Sequence, residues 1–168
     1  MKQIYGISVI IILSISLSSC WMYSFTGASI PPDAKTFSIG YFPNRATLIQ
    51  PTLSQEFTEA LKDRFISQTP LTSVSLNADM QFEGEITGYS TAPAAISGNE
   101  QATSNRLTIT VKVRFSNLKE PQKNFDASFT RYADFDAQTS FETIEAELNK
   151  LIIAELVDDI FNKAFVNW

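Results

Sequence analysis

Glu83 and Glu85, two residues apart, are the nearest thing in this chain to an acid–base pair. On a strand they project from one face, and two carboxylates astride a glycosidic bond hydrolyse it when one sits in an apolar pocket and keeps its proton. Their neighbours of the same parity, Gln81 and Thr87, are polar, so the pair reads as a hydrated strand face. Asp134 and Asp136 flank Phe135 just ahead of a helix, where backbone dipoles favour anions. The regular spacing of oxygen ligands in a calcium loop is absent there. The chain has no histidine, which removes Ser-His and Cys-His catalysis and the commonest zinc ligand. Gly84, Gly88 and Gly98 are scattered and form no phosphate-cradling loop. The remaining chemistry is cationic. Arg106, Lys112 and Arg114 share parity, with Lys119 and Lys123 close behind, and guanidinium groups suit bidentate contacts to phosphate or carboxylate. The competing use of this row is cross-strand ion pairing with Glu83 and Glu85. The expectation is a protein without catalytic residues, metal or cofactor, with Arg106, Lys112 and Arg114 as candidate contacts to an anionic ligand.

The only cysteine is Cys20. It follows Lys2, an apolar run from Ile4 to Leu17, and Ser18-Ser19, the layout of a secretory signal. Leu17-Ser18-Ser19-Cys20 resembles the bacterial lipobox, in which the thiol takes a diacylglycerol and cleavage leaves the cysteine first. The apolar run is shorter than the ~20 residues of a spanning helix. Residues 1–19 are therefore expected to be a lipoprotein signal peptide, with Cys20 lipidated and holding the protein to a membrane. Acylation uses the lone thiol, so no disulfide contributes to the fold.

Cleavage leaves residues 20–168, enough for one core. The whole chain carries a net charge of −5, and losing Lys2 makes it more acidic. Nucleic acid is excluded as a partner, since phosphate binding calls for a concentrated basic surface. Residues 20–34, aromatic from Trp21 to Phe25 and then Pro31-Pro32, form a tether, and 35–168 a single domain.

Within that domain Phe37, Ile39 and Tyr41 alternate as a first strand. Pro51-Thr52 opens a helix from Leu53 to about Ser67, with Thr52 and Gln55 as a capping box. Thr72, Val74 and Leu76 can begin a strand, and Asn77-Ala78-Asp79 is a turn. Met80, Phe82, Gly84 and Ile86 then face inward on a strand that runs out at Ser90 to Pro93. Arg106 to Ser116 alternates without a break, Leu107, Ile109, Val111, Val113 and Phe115 lining the inner face. Phe125, Ala127 and Phe129 make a hairpin partner for it. A long helix follows, capped by Thr139 and Glu142, with Phe141, Ile144, Leu148, Leu151, Ile152, Leu156, Ile160 and Ala164 as its apolar stripe. Glu145, Glu147, Glu155, Asp158 and Asp159 are its solvated face. The pattern predicts an α+β two-layer sandwich, two helices packed on one face of a four-stranded, mostly antiparallel or mixed sheet.

Several runs together resemble the LptE family of lipopolysaccharide-assembly lipoproteins, in the form found in Bacteroidetes. They are Tyr23-Ser24-Phe25-Thr26-Gly27-Ala28-Ser29-Ile30-Pro31-Pro32, Tyr41-Phe42-Pro43-Asn44, Pro51-Thr52-Leu53-Ser54, Phe82-Glu83-Gly84-Glu85-Ile86-Thr87-Gly88-Tyr89, Asn105-Arg106-Leu107-Thr108-Ile109, Arg131-Tyr132-Ala133-Asp134-Phe135 and Ile160-Phe161-Asn162-Lys163-Ala164. The resemblance implies a non-enzymatic outer-membrane lipoprotein on the periplasmic side. Its partners would be lipopolysaccharide and a large β-barrel translocon, LptD, for which it acts as plug and assembly partner. No lipopolysaccharide-binding residues carry over. The alternative left open by the residues is a free-standing periplasmic lipid- or glycan-binding lipoprotein.

Overall fold

The computed structural model describes residues 30–48, 50–94 and 104–166. The expected signal peptide, Cys20, the aromatic run Trp21 to Phe25 and the loop through Ser97 and Gln101 lie outside the described residues. The elements in order are β1 (Thr36–Ile39), α1 (Leu53–Gln68), β2 (Thr72–Ser73), β3 (Met80–Pro93), β4 (Ser104–Asn117), β5 (Phe125–Asp136) and α2 (Phe141–Phe165). They build the α+β sandwich expected, with a fifth strand: the sheet order is β2-β1-β3-β4-β5. β1 pairs in parallel with both β2 and β3, and β3, β4 and β5 pair antiparallel.

β4 is the spine because its two long ladders pin its register. Leu107, Ile109, Val111, Val113 and Phe115 are all buried, each contributing roughly 1.5–3 kcal/mol of apolar transfer. The helices lie side by side over this face and run in the same direction, Phe65 near the end of α1 packing 5.5 Å from Phe161 and 5.2 Å from Phe165 near the end of α2.

Several local expectations are corrected. After Ile39 the alternation breaks at Gly40, so Tyr41 is exposed and Phe42 takes the core position. The chain stays against β3 through Gly40 N–H to Phe82 O and Ile86 N–H to Pro43 O. Neither capping box forms. At α1 the Gln50 side-chain oxygen accepts from the Thr52 and Leu53 amides, both at 2.7 Å, and Gln55 bonds Glu59 instead. At α2 the cap position is Ser140, without a side-chain cap bond. β5 continues to Asp136, so Asp134 and Asp136 belong to a strand and not to a helix entrance. β3 likewise continues to Pro93, and its register shifts between Ile86 and Gly88. That bulge advances the parity by one residue and turns Tyr89 inward.

Asp79 fastens the start of β1 to the start of β3. It follows Asn77, whose φ of 55° makes the turn in a left-handed conformation that asparagine tolerates. Its carboxylate accepts from the Lys35 amide at 2.9 Å, the Thr36 amide at 3.1 Å and the Thr36 hydroxyl at 3.0 Å, with Lys119 Nζ 3.3 Å away. The Lys35 amide bond, then the Thr36 hydroxyl, hold its pKa down at about 2 from 3.8. The folded-state pKa is depressed, so the contribution is present above 3.8 and is lost as pH falls through about 2. Asp79→Asn is expected to flatten the acid limb of stability in this window; chemical denaturation from pH 5 downward measures it, and an unchanged acid limb would show that this clasp does not form.

Candidate functional site

The open face of the sheet carries the charged side chains of β3 and β4 and the carboxylates of β5, while the helices cover the other. Arg106, Lys112 and Arg114 do share this face. The ladder sets Glu83 opposite Arg114 and Glu85 opposite Lys112 on one side, and Asp134 opposite Arg106 and Asp126 opposite Arg114 on the other. The ion pairs form with β5. Arg106 makes a two-pronged bond to Asp134 at 2.6 and 2.8 Å, and its guanidinium carbon lies 3.6 Å from the centre of the Tyr132 ring. Lys112 and Arg114 share Asp126 more loosely, at 3.4 and 3.5 Å. The expected ion pairing with Glu83 and Glu85 is thus replaced by pairing with β5, because β5 is the outer neighbour whose carboxylates reach the same row.

Electrostatics follow from these contacts. The hydrogen bond to Arg106 draws the Asp134 pKa down, and the same bond raises that of Arg106. Glu83, Gly84, Glu85, Lys112, Arg114 and Asp126 surround an open depression of about 240 Å³. Three carboxylates around two cations leave it one charge negative, and an anionic ligand there has to displace Asp126. Glu83 and Glu85 sit together on this open charged face, without the apolar pocket that glycoside hydrolysis calls for. Among the described residues no three metal-ligating side chains converge.

Beneath the sheet lies a buried polar cluster. The Tyr89 hydroxyl is 2.6 Å from Glu145 and 3.1 Å from the Asn149 side-chain oxygen. A phenol has one hydrogen, and the shorter contact takes it. Asn149 Nδ2 is buried without a partner. Exchanging the amide's nitrogen and oxygen lets Asn149 donate to the phenol oxygen and removes that orphan donor. Burial, then the bond to Glu145, push the Tyr89 pKa up. The cluster pins α2 to β3.

Of the acidic residues expected on the solvated face of α2, Glu147, Glu155 and Asp158 are exposed, and all but Glu147 also reach a partner. Besides Glu145, Asp159 holds Arg131 through two bonds, 2.5 and 2.6 Å long, Glu155 approaches it at 4.0 Å, and Asp158 pairs with Arg64 at 3.0 Å. Tyr89, Asn149 and Arg131 escaped the sequence reading. A bulge leaves no pattern in the residues ahead of Tyr89, whereas Asn149, four residues from Glu145 beside Leu148, was visible as a polar interruption of the apolar stripe.

The fold has solved counterparts. A minor lipoprotein of Acinetobacter baumannii matches with TM-score 0.51 and 15% identity, covering 77% of this chain and 91% of its own. A hypothetical protein of Chlamydia trachomatis matches with TM-score 0.55 and 12% identity over 80% and 99%. An uncharacterised lipoprotein B of Nitrosomonas europaea gives 0.52 and 16% over 83% and 86%. At these identities the likeness is one of fold. None of the curated proteins compared matches the chain. The lipopolysaccharide-assembly family model matches residues 34–164, which spans every strand of the sheet, α1 and all but the last residue of α2. The chain therefore belongs to the LptE family of lipopolysaccharide-assembly proteins and is a non-enzymatic component of that assembly.

Proposed function

We propose that the protein is a lipid-anchored subunit of the lipopolysaccharide export machinery, seated on the periplasmic side of the outer membrane as plug and assembly partner of a β-barrel of the LptD type. The observation that carries this reading is the family match over residues 34–164 behind a lipobox-like Leu17-Ser18-Ser19-Cys20. Attachment would come from acyl chains on Cys20, each buried CH₂ contributing about 0.8 kcal/mol; no helix among the described residues is long and apolar enough to cross a membrane. Arg106, Lys112 and Arg114 are the proposed contacts to phosphate or carboxylate groups. They would make those contacts by exchanging Asp134 and Asp126 for the ligand.

The test is isolation of the intact tagged chain from its own cells in mild detergent. A large outer-membrane β-barrel is expected to co-purify, and Cys20→Ala to move the protein out of the membrane fraction. A monomer that brings down no barrel but binds lipid or glycan by itself would favour the free-standing binding lipoprotein instead.

A further inference from the structure

β5 is a twelve-residue terminal strand. Among the described residues nothing pairs with its second edge, so alternate backbone donors and acceptors along it are open to another strand. Beside this edge runs one face of α2. Phe141 packs 5.6 Å from Phe135 of β5, and Glu155 approaches Arg131 of the same strand. Steps of three and four residues lead from Phe141 through Ile144, Leu148 and Leu151 to Glu155, so these side chains lie in one row on the helix. The row is therefore held against β5 at both ends and forms an apolar ledge between. Leu151, at the middle of the helix, is 53% exposed, and a groove of about 540 Å³ runs along α2 over Ile144, Leu148, Leu151 and Ala154, with Glu147 and Lys150 also lining it. A strand edge beside an apolar ledge suits an extended segment that adds to the sheet and sets alternate side chains on the ledge.

Charge indicates the character of that segment. On the open face the rows alternate in sign from strand to strand: Glu83 and Glu85 on β3, Arg106, Lys112 and Arg114 on β4, Asp126, Asp134 and Asp136 on β5, with Arg114 between Glu83 and Asp126 in register. The row that continues this order is basic. A second copy of the chain would instead present its own β5 row, which holds three carboxylates and no cation, and like charges across strands are destabilising. We propose that the Arg131–Asp136 edge of β5 and the Ile144–Leu148–Leu151 ledge accept an extended segment of a partner protein as a further strand, with apolar side chains on the ledge and lysine or arginine on the open face. This surface follows from the groove's own chemistry and does not rest on the export reading.

The experiment uses the full-length lipidated chain in detergent micelles. Its probes are a synthetic peptide of alternating valine and lysine, the valine–glutamate counterpart, and the lysine peptide with a central proline. The lysine peptide is expected to bind and to slow amide hydrogen exchange in β5. Binding should weaken about tenfold, or 1.4 kcal/mol, with Leu151→Asp, a substitution at an exposed position that the fold tolerates. The glutamate and proline peptides should bind little. Protection confined to other elements, equal binding of the glutamate peptide, or indifference to Leu151→Asp would each overturn the proposal. Self-association in sedimentation that Leu151→Asp abolishes would assign the ledge to a second copy and overturn it too.

Discussion

Phe65→Ala is expected to remove about 3–5 kcal/mol of stability, the range for deleting a large aromatic side chain from a packed core. Phe65 is fully buried and is the ring on which the two layers meet. Its centroid lies 5.5 Å from Phe37 of β1, 4.6 Å from Phe82 of β3, 5.5 Å from Phe161 and 5.2 Å from Phe165 of α2. Three of these four contacts are edge-to-face, the geometry in which an aromatic pair contributes roughly 0.5–1.5 kcal/mol beyond area burial. Alanine there leaves a void bordered by three other elements, and none can close it without moving against the others. Domains are stable by only about 5–15 kcal/mol, so this one change consumes a large share. Urea denaturation should show a lower midpoint with an unchanged slope. Phe129→Ala is the comparison, because Phe129 is only half-buried near the β5 edge and should cost much less. Equal effects of the two would mean that the layers are not joined at Phe65.

How much of this was legible in the residues depends on how many constraints acted at each position. β4 was readable because a strand with one buried face and two partners repeats the same demand every second residue. Its five inward side chains and three outward cations were placed correctly by parity alone. α1 ended where Pro70 required. β3 was legible only to Ile86: a bulge inserts one residue into the register without needing a special side chain, so Tyr89 reads as outward when it is inward. β2 is two residues long and parallel to β1, a pairing created by distant contacts and not by local pattern. The two capping boxes matched in sequence but failed in structure: at α1 Gln50 takes the Thr52 amide that Gln55 was expected to reach, and at α2 the cap falls on Ser140, one residue past Thr139.

The candidate site shows the same limit more sharply. Parity put Arg106, Lys112 and Arg114 on one face, yet parity gives each cation two neighbouring strands. Glu83 and Asp126 are both opposite Arg114, and only the conformers of the long side chains decide between them. The engaged acids of α2 belong to the same class. Helical spacing placed Glu155 and Asp159 together, but whether they met solvent or Arg131 depended on where β5 ran after Thr130, and that continuation was missed.

Gly84→Ala tests the closest approach in the sheet and should cost about 3 kcal/mol or more, the upper end of the over-packing range. Gly84 lies on β3 where the strand is flanked by β4 on one side and by the Tyr41–Asn44 segment on the other. A methyl group there would run into the Lys112 backbone carbonyl and come within 2.6 Å of Phe42 Cε1. The first obstacle is backbone held in the longest ladder of the molecule, and the second is a ring that is completely buried. Neither is the loose end of a flexible side chain, so the collision has to be relieved by separating strands. The other glycines supply a graded control. At Gly88 the nearest atom is Thr110 Cβ at 3.1 Å, a tight contact a side chain can partly yield; at Gly40 it is Phe82 O at 3.5 Å, ordinary van der Waals distance. Alanine at Gly40 should be neutral or stabilise by about 0.4–1 kcal/mol through the unfolded chain, and Gly88→Ala should fall between. Unfolding midpoints in the order Gly40→Ala, Gly88→Ala, Gly84→Ala are the expected result. Adding Phe42→Leu to Gly84→Ala should recover only part of the loss, because the carbonyl remains. Full recovery would make the ring the sole obstacle, and a neutral Gly84→Ala would refute the close contact between β3 and β4 that holds Glu83 and Glu85 beside the cations of β4.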